Sequence, residues 1–358
     1  MKTPSAIPAV LLLAALFPET PHTHAQNPSP VPEYVVIDLG TLGGNQSEAH
    51  GINDRGEVVG RSWTKNDYTF HAFLYSNGVM QDLGTLGGYE STAFGINNNG
   101  EVVGHSEFQP IYRWVEHAFL YSNGVMQDLA PLGVRESTAY AINDLGQVVG
   151  EGEYGGYSRA FLYSDGVMQD LGTLALRGEE SRAYGINDSG QIVGHADIYP
   201  KFWWWIMHAF LYSDGIMRDL GTLGGDYSSA YGINDSGQVI GSSRTRDEYT
   251  HAFLYSKGVM RDLGTLGGDE SFANGINNQG QVVGTSELTP GENVRHACLY
   301  SNGTMRDLNA LTIPGSGWEL EEASAVNNLG QIVGYGRNPE GKTRAFFLHP
   351  LPKGWHTA

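Results

Sequence analysis

Hydrophobic residues along the chain occur in short runs, and each run is bounded by glycine, asparagine, aspartate or serine. One unit of this pattern contains four runs, at 91–97, 100–104, 117–122 and 125–129. Runs of this length, rich in β-branched and aromatic residues, predict β-strands. We name the four strands of a unit A, B, C and D in chain order.

The residues between the strands predict hairpins. Strands A and B are always separated by Asn-Asp-x-Gly or Asn-Asn-x-Gly, and six of the C–D connections are Ser-x-Gly with Asn, Asp or Lys in the middle. Asn-Gly and Asp-Gly are typical of tight turns whose central residues have positive φ. Each unit is therefore predicted to be a four-stranded antiparallel meander.

The unit is repeated seven times, with 43 to 50 residues between successive copies. Four strands in each of several repeats of this length are the signature of a β-propeller. An asparagine ends strand A in every copy, at positions 53, 97, 143, 187, 234, 277 and 327.

Strand D is missing from the last unit, and a matching segment is found at the other end of the chain. After the final strand C at 344–348 the sequence continues His-Pro-Leu-Pro, whereas Tyr34-Val-Val-Ile-Asp-Leu39 has the strand D pattern. We predict an all-β fold, a seven-bladed β-propeller of four-stranded antiparallel blades, closed by an N-terminal strand that completes the last blade. An open β-solenoid is the alternative, and the displaced strand favours the ring.

The N-terminal segment has the order of a signal peptide. A lysine at position 2 precedes an apolar run at 7–17, and Thr-His-Ala at 23–25 fits a cleavage site. The run is shorter than the roughly 20 apolar residues of a membrane span. We predict a signal peptide at 1–25, a disordered leader at 26–33, the propeller at 34–350 and a tail at 351–358. The protein is therefore expected to be secreted, to the periplasm or the medium, after cleavage near Ala25.

The net charge of the protein limits the partners that we expect, and its cysteine content decides whether disulfide bonds are expected. The net charge of −18 disfavours nucleic acids and anionic membranes, which need a basic surface. Cys298 is the one cysteine, so no internal disulfide is expected, and it replaces a phenylalanine of strand C, which predicts a small buried side chain. We expect a monomer without a transmembrane segment.

The connections define two faces of the predicted disc. With strand A at the axis and strand D at the rim, the A–B and C–D turns share one face, which we call the constant face because its turns hardly vary. The B–C and D–A loops share the other face, which we call the variable face because their lengths differ between units. Binding residues tend to lie on variable loops held by a rigid scaffold. The variable face is therefore the predicted site of function.

Tryptophan is concentrated on the variable face, and none lies in a predicted strand. Aromatic loops suit sugar rings, peptides or another protein, and the alternative is that the rings fold back and seal the core. The predicted ligand-binding residues are Trp63, Tyr112, Trp114, Trp203, Trp204, Trp205 and Tyr249 in B–C loops and Trp318 in a D–A loop.

Two positions of strand A, one before and one after an invariant alanine, vary between the units. One series is expected to line the central channel, but the pattern alone does not decide which, and packing between blades is the alternative. Glu48 and Glu322 on neighbouring blades, with Arg182 opposite, are the candidates for catalysis on a sugar, which needs two carboxyl groups roughly 5–10 Å apart. The predicted channel-lining residues of the second series are His50, Tyr140, Tyr184 and Tyr231.

No metal or cofactor is predicted. The histidines that recur in strand C lie one to a blade and so do not converge on one ion. They and the recurring aspartate of strand D are interpreted as supports of the outer strands. The sequence has no Gly-x-Ser-x-Gly, phosphate-binding loop or His-Glu-x-x-His.

Three motifs together resemble the HAF-repeat family of extracellular bacterial proteins. They are Asp-Leu-Gly-Thr-Leu-Gly-Gly, Gly-Ile-Asn-Asp-x-Gly-Gln-Val-Val-Gly and His-Ala-Phe-Leu-Tyr-Ser, and the likeness covers residues 34–349. The chain departs from His-Ala-Phe at Arg159, Cys298 and Arg344. The resemblance implies secretion and a repeat architecture, and it carries no catalytic residue.

The sequence favours a secreted binding module that recognises a glycan or a protein through the aromatic B–C loops of the variable face. A polysaccharide-degrading lyase or glycoside hydrolase with its site at the channel mouth is one alternative, by analogy of fold. A structural protein of the cell surface is the other.

Overall fold

The computed structural model describes residues 33–65, 68–108, 115–130, 134–175, 178–198, 206–292 and 294–352. Within these residues the chain forms seven four-stranded antiparallel sheets. The seven-bladed β-propeller predicted from the sequence is therefore confirmed.

The four strands of each blade follow one another along the chain, except in blade 7. Strand A is β2 (Gly43–Ile52), β6 (Ser91–Ile96), β10 (Ser137–Ile142), β14 (Ser181–Ile186), β18 (Gly224–Ile233), β22 (Ser271–Ile276) and β26 (Glu319–Val326). Strand B is β3 (Val58–Thr64), β7 (Val102–Phe108), β11 (Val148–Tyr154), β15 (Ile192–Asp197), β19 (Val239–Thr245), β23 (Val282–Glu287) and β27 (Ile332–Arg337). Strand C is β4 (Phe70–Ser76), β8 (Val115–Ser122), β12 (Tyr157–Ser164), β16 (Met207–Ser213), β20 (Thr250–Ser256), β24 (Arg295–Ser301) and β28 (Thr343–Pro350). Strand D is β5 (Val79–Asp82), β9 (Val125–Asp128), β13 (Val167–Asp170), β17 (Ile216–Asp219), β21 (Val259–Asp262), β25 (Thr304–Asp307) and, in blade 7, β1 (Tyr34–Asp38).

The N-terminal strand completes blade 7, as the sequence predicts. β1 pairs antiparallel with β28, in register from Tyr34 opposite Pro350 to Asp38 opposite Phe346. Leu351, which follows β28, continues the pairing by donating its backbone N–H to the carbonyl of Glu33. Because the first and last described strands share one sheet, blade 7 has the same four strands as the others.

The two kinds of turn on the constant face differ in backbone conformation. In the C–D turns both central residues have positive φ, for example Asn77 at 52° and Gly78 at 81°, as a primed turn requires. In the A–B turns only the glycine has positive φ, as Gly56 does at 75°. The asparagine three residues before this glycine accepts two backbone hydrogen bonds through its Oδ1. In blade 1 it is Asn53, and the donors are the N–H groups of Arg55 and Glu57. The A–B turn is therefore held by a side chain.

A phenylalanine of strand C lies at the centre of six blades. In blade 6 its place is taken by Cys298, which is 3% exposed, and burial raises the pKa of its thiol to about 12. This agrees with the small buried side chain predicted for it. The six phenylalanines are fully buried: Phe73, Phe119, Phe161, Phe210, Phe253 and Phe346.

Strand A carries a β-bulge directly after its invariant alanine. In blade 3, Ala139 pairs with Gly150 and Ala141 with Val149, which leaves Tyr140 unpaired between them. The glycine of strand B lies close to strand A here, because a Cβ on Gly150 would stand 1.9 Å from the carbonyl oxygen of Thr138. The other six blades have the same register shift. A bulge redirects the side chain of the extra residue.

One short helix interrupts the all-β pattern. α1 (Leu308–Leu311) lies between β25 and β26 and begins at Asp307, whose carboxylate accepts a hydrogen bond from the backbone of Asn309. Among the described residues, no helix has the length and apolar character needed to cross a membrane.

Candidate functional site

The constant face is held by a closed ring of asparagine side chains. In each blade the Nδ2 of the asparagine that ends strand A donates to the backbone carbonyl of the corresponding asparagine in the next blade, at 2.9–3.1 Å. Asn327 of the last blade donates to Asn53 of the first, so the ring closes. The seven members are 2–4% exposed: Asn53, Asn97, Asn143, Asn187, Asn234, Asn277 and Asn327.

The residue after each ring asparagine forms a second ring. The backbone N–H of Asp54 donates to the side chain of Asn98, and the same bond repeats around the disc until Asn328 donates to Asp54. The cavity between these residues has a volume of about 180 Å³. Because these side chains bond the neighbouring blade, we assign this end of the channel to stability.

The recurring histidine and aspartate of the outer strands bond each other. His71 on β4 lies 2.9 Å from Asp82 on β5, and four other blades repeat the pair. In blade 3 Arg159 replaces the histidine and lies 3.4 Å from Asp170. The hydrogen bond with Asp82 raises the pKa of His71. Their constant spacing of 11 residues is the sequence signal that could have paired them.

The bulged residue of each strand A lines the central channel. The channel cavity has a volume of about 260 Å³ and is lined by His50, Phe94, Tyr140, Tyr184, Tyr231, Asn274 and Ser324. The second series of variable positions is thus the one that faces the axis, and all four residues predicted to line the channel lie there.

The aromatic members of this series form a continuous wall through blades 1 to 5. Successive ring centroids lie 5.3, 5.4, 5.0 and 5.5 Å apart, which is contact distance for aromatic rings. In blades 6 and 7 the wall is polar, with Asn274 and Ser324. The channel therefore has an aromatic side and a polar side.

The first series lies two residues before the channel-lining series on strand A, nearer the variable face, and Thr92 and Ser229 of this series are buried. Each residue lies opposite the residue that follows Val-Val-Gly or its equivalent in strand B. These seven cross-strand pairs, which we call the mouth pairs, are Glu48–Arg61, Thr92–His105, Thr138–Glu151, Arg182–His195, Ser229–Ser242, Phe272–Thr285 and Glu322–Tyr335. The strand B members of these pairs were missed by the sequence reasoning, although they vary between blades as much as the strand A members do.

Glu48 is neutralised within its own blade. Arg61 donates to its Oε2 from Nε at 2.9 Å and lies 2.8 Å away through Nη2. Burial raises the pKa of Glu48, but His50 and Arg61 outweigh it, so that this pKa lies below its usual value. Glu48 is therefore an ionised, paired carboxylate.

Arg182 is paired with a glutamate that the sequence reasoning did not select. Its Nε lies 2.7 Å from Glu151 of blade 3. The same carboxylate accepts hydrogen bonds from Tyr140, at 2.6 Å, and from Ser158. Among the described residues Arg182 therefore pairs with Glu151, and not with Glu48 or Glu322, the two glutamates predicted to act with it.

Glu322 has no cation at ion-pair distance among the described residues. Its Oε2 accepts a hydrogen bond from Tyr335 at 3.0 Å. Burial is the main reason that the pKa of Glu322 is raised, and Glu48 adds to the effect. A cavity of about 390 Å³ lies beside it, lined by Thr285, Val294, Arg295, Glu319, Glu321, Glu322, Tyr335 and Arg337.

The described aromatic residues predicted to bind a ligand have different surroundings. Trp318 packs against the core of blade 7, which is the sealing role weighed as the alternative. Trp63 lies inside β3, not in a loop as predicted, because strand B extends past the predicted end and pairs it with Phe70. Tyr249 is 46% exposed. The remaining predicted residues, Tyr112, Trp114, Trp203, Trp204 and Trp205, lie outside the described residues.

Comparison with known proteins adds evidence on the fold. A family described as "Protein of unknown function (DUF3466)" matches residues 85–213, which hold blades 2 and 3 and three strands of blade 4. No curated protein matches the chain.

Two solved structures are similar over most of this chain. A puromycin-hydrolysing peptidase of Mycobacterium tuberculosis is 11% identical, with a TM-score of 0.56 over 92% of this chain and 57% of the peptidase. The β-propeller domain of the Trilobed protease from Pyrococcus furiosus is 10% identical, with a TM-score of 0.54 over 91% of this chain and 95% of that domain. The chain spans only 57% of the peptidase, and identities this low show the fold alone. The Pyrococcus domain is described as having an open velcro topology, whereas β1 of this chain pairs with β28.

Proposed function

We propose that this protein is a binding module that holds a glycan at the mouth of its central channel on the variable face. The observation that carries the proposal is the aromatic wall of blades 1 to 5 below seven unlike mouth pairs. Aromatic faces pack against the apolar faces of sugar rings, and polar groups around them fix orientation. The proposed binding site therefore lies at the channel mouth, whereas the sequence analysis favoured the B–C loops.

The pairing at the mouth favours binding over bond cleavage. A carboxylate pair acting on a sugar needs one acid and one free base or nucleophile. Glu48 is held by Arg61, and Arg182 is held by Glu151. The catalytic pair suggested by the sequence therefore lacks a free second carboxylate.

Secretion and membership of the HAF-repeat family are part of the proposal. The repeat motifs and the order of residues 1–25 support them. Recovery of the chain from periplasm or medium with Gln26 at its N-terminus is the test, and recovery from the cytoplasm with residue 1 intact would contradict it.

The binding proposal is tested by calorimetry and by an array of oligosaccharides and peptides. Tyr184→Ala removes one ring of the wall, and we expect at least about a tenfold loss of affinity for the glycan that binds. Tyr68→Ala is the control, because Tyr68 is 88% exposed on the variable face outside the channel. Equal losses in both variants, or no glycan bound by the wild type, would contradict the proposal.

A further inference from the structure

Strand A places three charged residues at the channel mouth, and two of them are neutralised. Glu48 has Arg61 at 2.8 Å, and Arg182 has Glu151 at 2.7 Å. Glu322 occupies the same strand position as both, and within the described part of the chain its hydrogen-bond partner is the hydroxyl of Tyr335. A partly buried carboxylate without a cation is costly, because burial removes its hydration without replacing it.

Arg295 and Arg337 line the cavity beside Glu322, and both already pair with other carboxylates. Arg295 lies 2.5 Å from Glu270 and 3.5 Å from Glu287. Its guanidinium also lies 4.9 Å from the ring centroid of Phe272. Arg337 donates to Glu321 at 2.8 Å. Neither arginine forms a salt bridge with Glu322, although the charge of Arg295 acts on it and lowers its pKa against the larger effect of burial. Glu322 therefore keeps a carboxylate that a cation in the cavity can approach directly.

The acceptors around the cavity suit an ammonium group. Glu322 offers a carboxylate, and the hydroxyls of Tyr335 and Thr285 line the same space. An ammonium has three N–H donors and no acceptor, so these groups can accept from it together. The three glutamates that line the cavity outnumber its two arginines, and the protein carries a net charge of −18, so the cavity attracts a cation and disfavours an anionic sugar.

Resting on the proposed glycan-binding function, we infer that the cavity between blades 6 and 7 binds the free amino group of an amino sugar, with Glu322 as its counter-ion. The ligand class is thereby narrowed to glycans that carry unsubstituted glucosamine-type residues. The aromatic wall on the other side of the channel receives the sugar rings. N-acetylation removes the charge and two of the donors, so the acetylated sugar lacks the group that Glu322 requires.

The test compares the affinities of the full-length secreted protein for three probes. They are the tetramer of glucosamine, the tetramer of N-acetylglucosamine and tetralysine. We expect the glucosamine tetramer to bind at least about tenfold more tightly than the acetylated tetramer, because an unpaired buried carboxylate regains a partner. Glu322→Gln is expected to abolish this preference, and Tyr335→Phe to reduce it.

Glu116→Gln is the matched control, because it removes the same charge from a 55% exposed side chain on the variable face. It is expected to keep the preference, and an equal loss in this variant would overturn the inference by showing general charge attraction. Equal binding of both sugar tetramers, unaffected by Glu322→Gln, would overturn the amino-sugar inference and leave glycan binding standing. Tight binding of tetralysine alone, or of no probe, would overturn both. The thermal unfolding temperature of each variant shows whether the fold is retained. Tyr335→Phe, which leaves Glu322 in place, gives a second measurement of the site.

Discussion

On the constant face, the asparagine that ends strand A makes the same hydrogen bonds in all seven blades, whereas on the variable face the seven mouth pairs all differ. The ring bonds range from 2.9 to 3.1 Å around the whole disc. The mouth pairs include the ion pair of Glu48 with Arg61, a pair of serines, and a glutamate hydrogen-bonded to a tyrosine. Each ring asparagine directly follows strand A, and the strand A member of the mouth pair lies five residues before it, as Glu48 does before Asn53.

The contrast follows from what each position must do for its neighbours. A ring asparagine donates through its side chain to the next blade and accepts at its backbone carbonyl from the previous one. Replacing the side chain therefore removes the bond to the next blade and opens a gap in the ring. The mouth has no such shared pattern: Glu48 is satisfied within its blade and Arg182 by the blade before. A repeated scaffold can therefore keep one face uniform while the other acquires a site.

The largest expected effect comes from breaking the ring. In Asn143→Ala, the carbonyl of Asn187 and the N–H groups of Leu145 and Gln147 lose their partner. Because the bond to Asn187 is buried and the other two are part-buried, we expect the free energy of unfolding in urea to fall by about 3 kcal/mol. Thr138→Ala in the same strand, at the mouth, is expected to lower it by at most about 1 kcal/mol. Equal losses of unfolding free energy in Asn143→Ala and Thr138→Ala would contradict the assignment of the ring, and not the mouth, to stability.

A smaller effect is expected from Arg182→Met at the mouth. The change leaves Glu151 with Tyr140 and Ser158 but without its cation. Since the side chain of Arg182 is 39% exposed, solvent screens the pair, and we expect a loss of about 1–2 kcal/mol. Chemical unfolding measures it, and a loss matching that of Asn143→Ala would contradict the prediction.

Glu322→Gln is expected to change stability in the opposite direction. The pKa of Glu322 is raised in the folded protein, mainly by burial. A carboxyl with a raised folded pKa destabilises the fold as pH rises above its unfolded value of about 4.3. The variant should therefore be slightly more stable than the wild type at pH 8, and the difference should vanish near pH 4. Urea unfolding at both pH values tests this, and a less stable variant at pH 8 would refute it.

The smallest effect concerns the histidine–aspartate pairs at the rim. The pKa of His71 is raised, so its contribution is present below about pH 6.5 and is lost as pH rises through the folded value. Burial raises the pKa of Asp82, but His71 outweighs this and lowers it, so the aspartate's contribution is lost as pH falls below about 4. Because the pair is partly exposed, we expect only a few tenths of a kcal/mol.

His71→Arg, which copies Arg159 of blade 3, should keep the pair charged at high pH. Its stability relative to the wild type should therefore rise between pH 5.5 and 8.5, as measured by urea unfolding. No change in the relative stability would show that the pair contributes nothing.

Much of the fold could be read from the sequence, but less of the site. Strand B was predicted to end before Trp63, although it continues and pairs that residue with Phe70. The series facing the axis was left open because a bulge at Tyr140 breaks the alternation of strand A on which such a prediction rests. Glu151 and Tyr335 were not predicted because they lie on strand B, at the position after Val-Val-Gly or its equivalent, which varies as much as the selected positions of strand A.

The number of blades, the closing strand and the two faces follow from the repeated motifs alone. Strands and turns depend on residues close together in the chain, and here each signal recurs in seven copies. Which groups meet depends on the folded arrangement. Asn327 bonds Asn53, Arg182 pairs with Glu151, and Glu322 has no cation at ion-pair distance among the described residues. These contacts depend on the rotation of one blade against the next and on the bulge in strand A. No local pattern of residues contains that information.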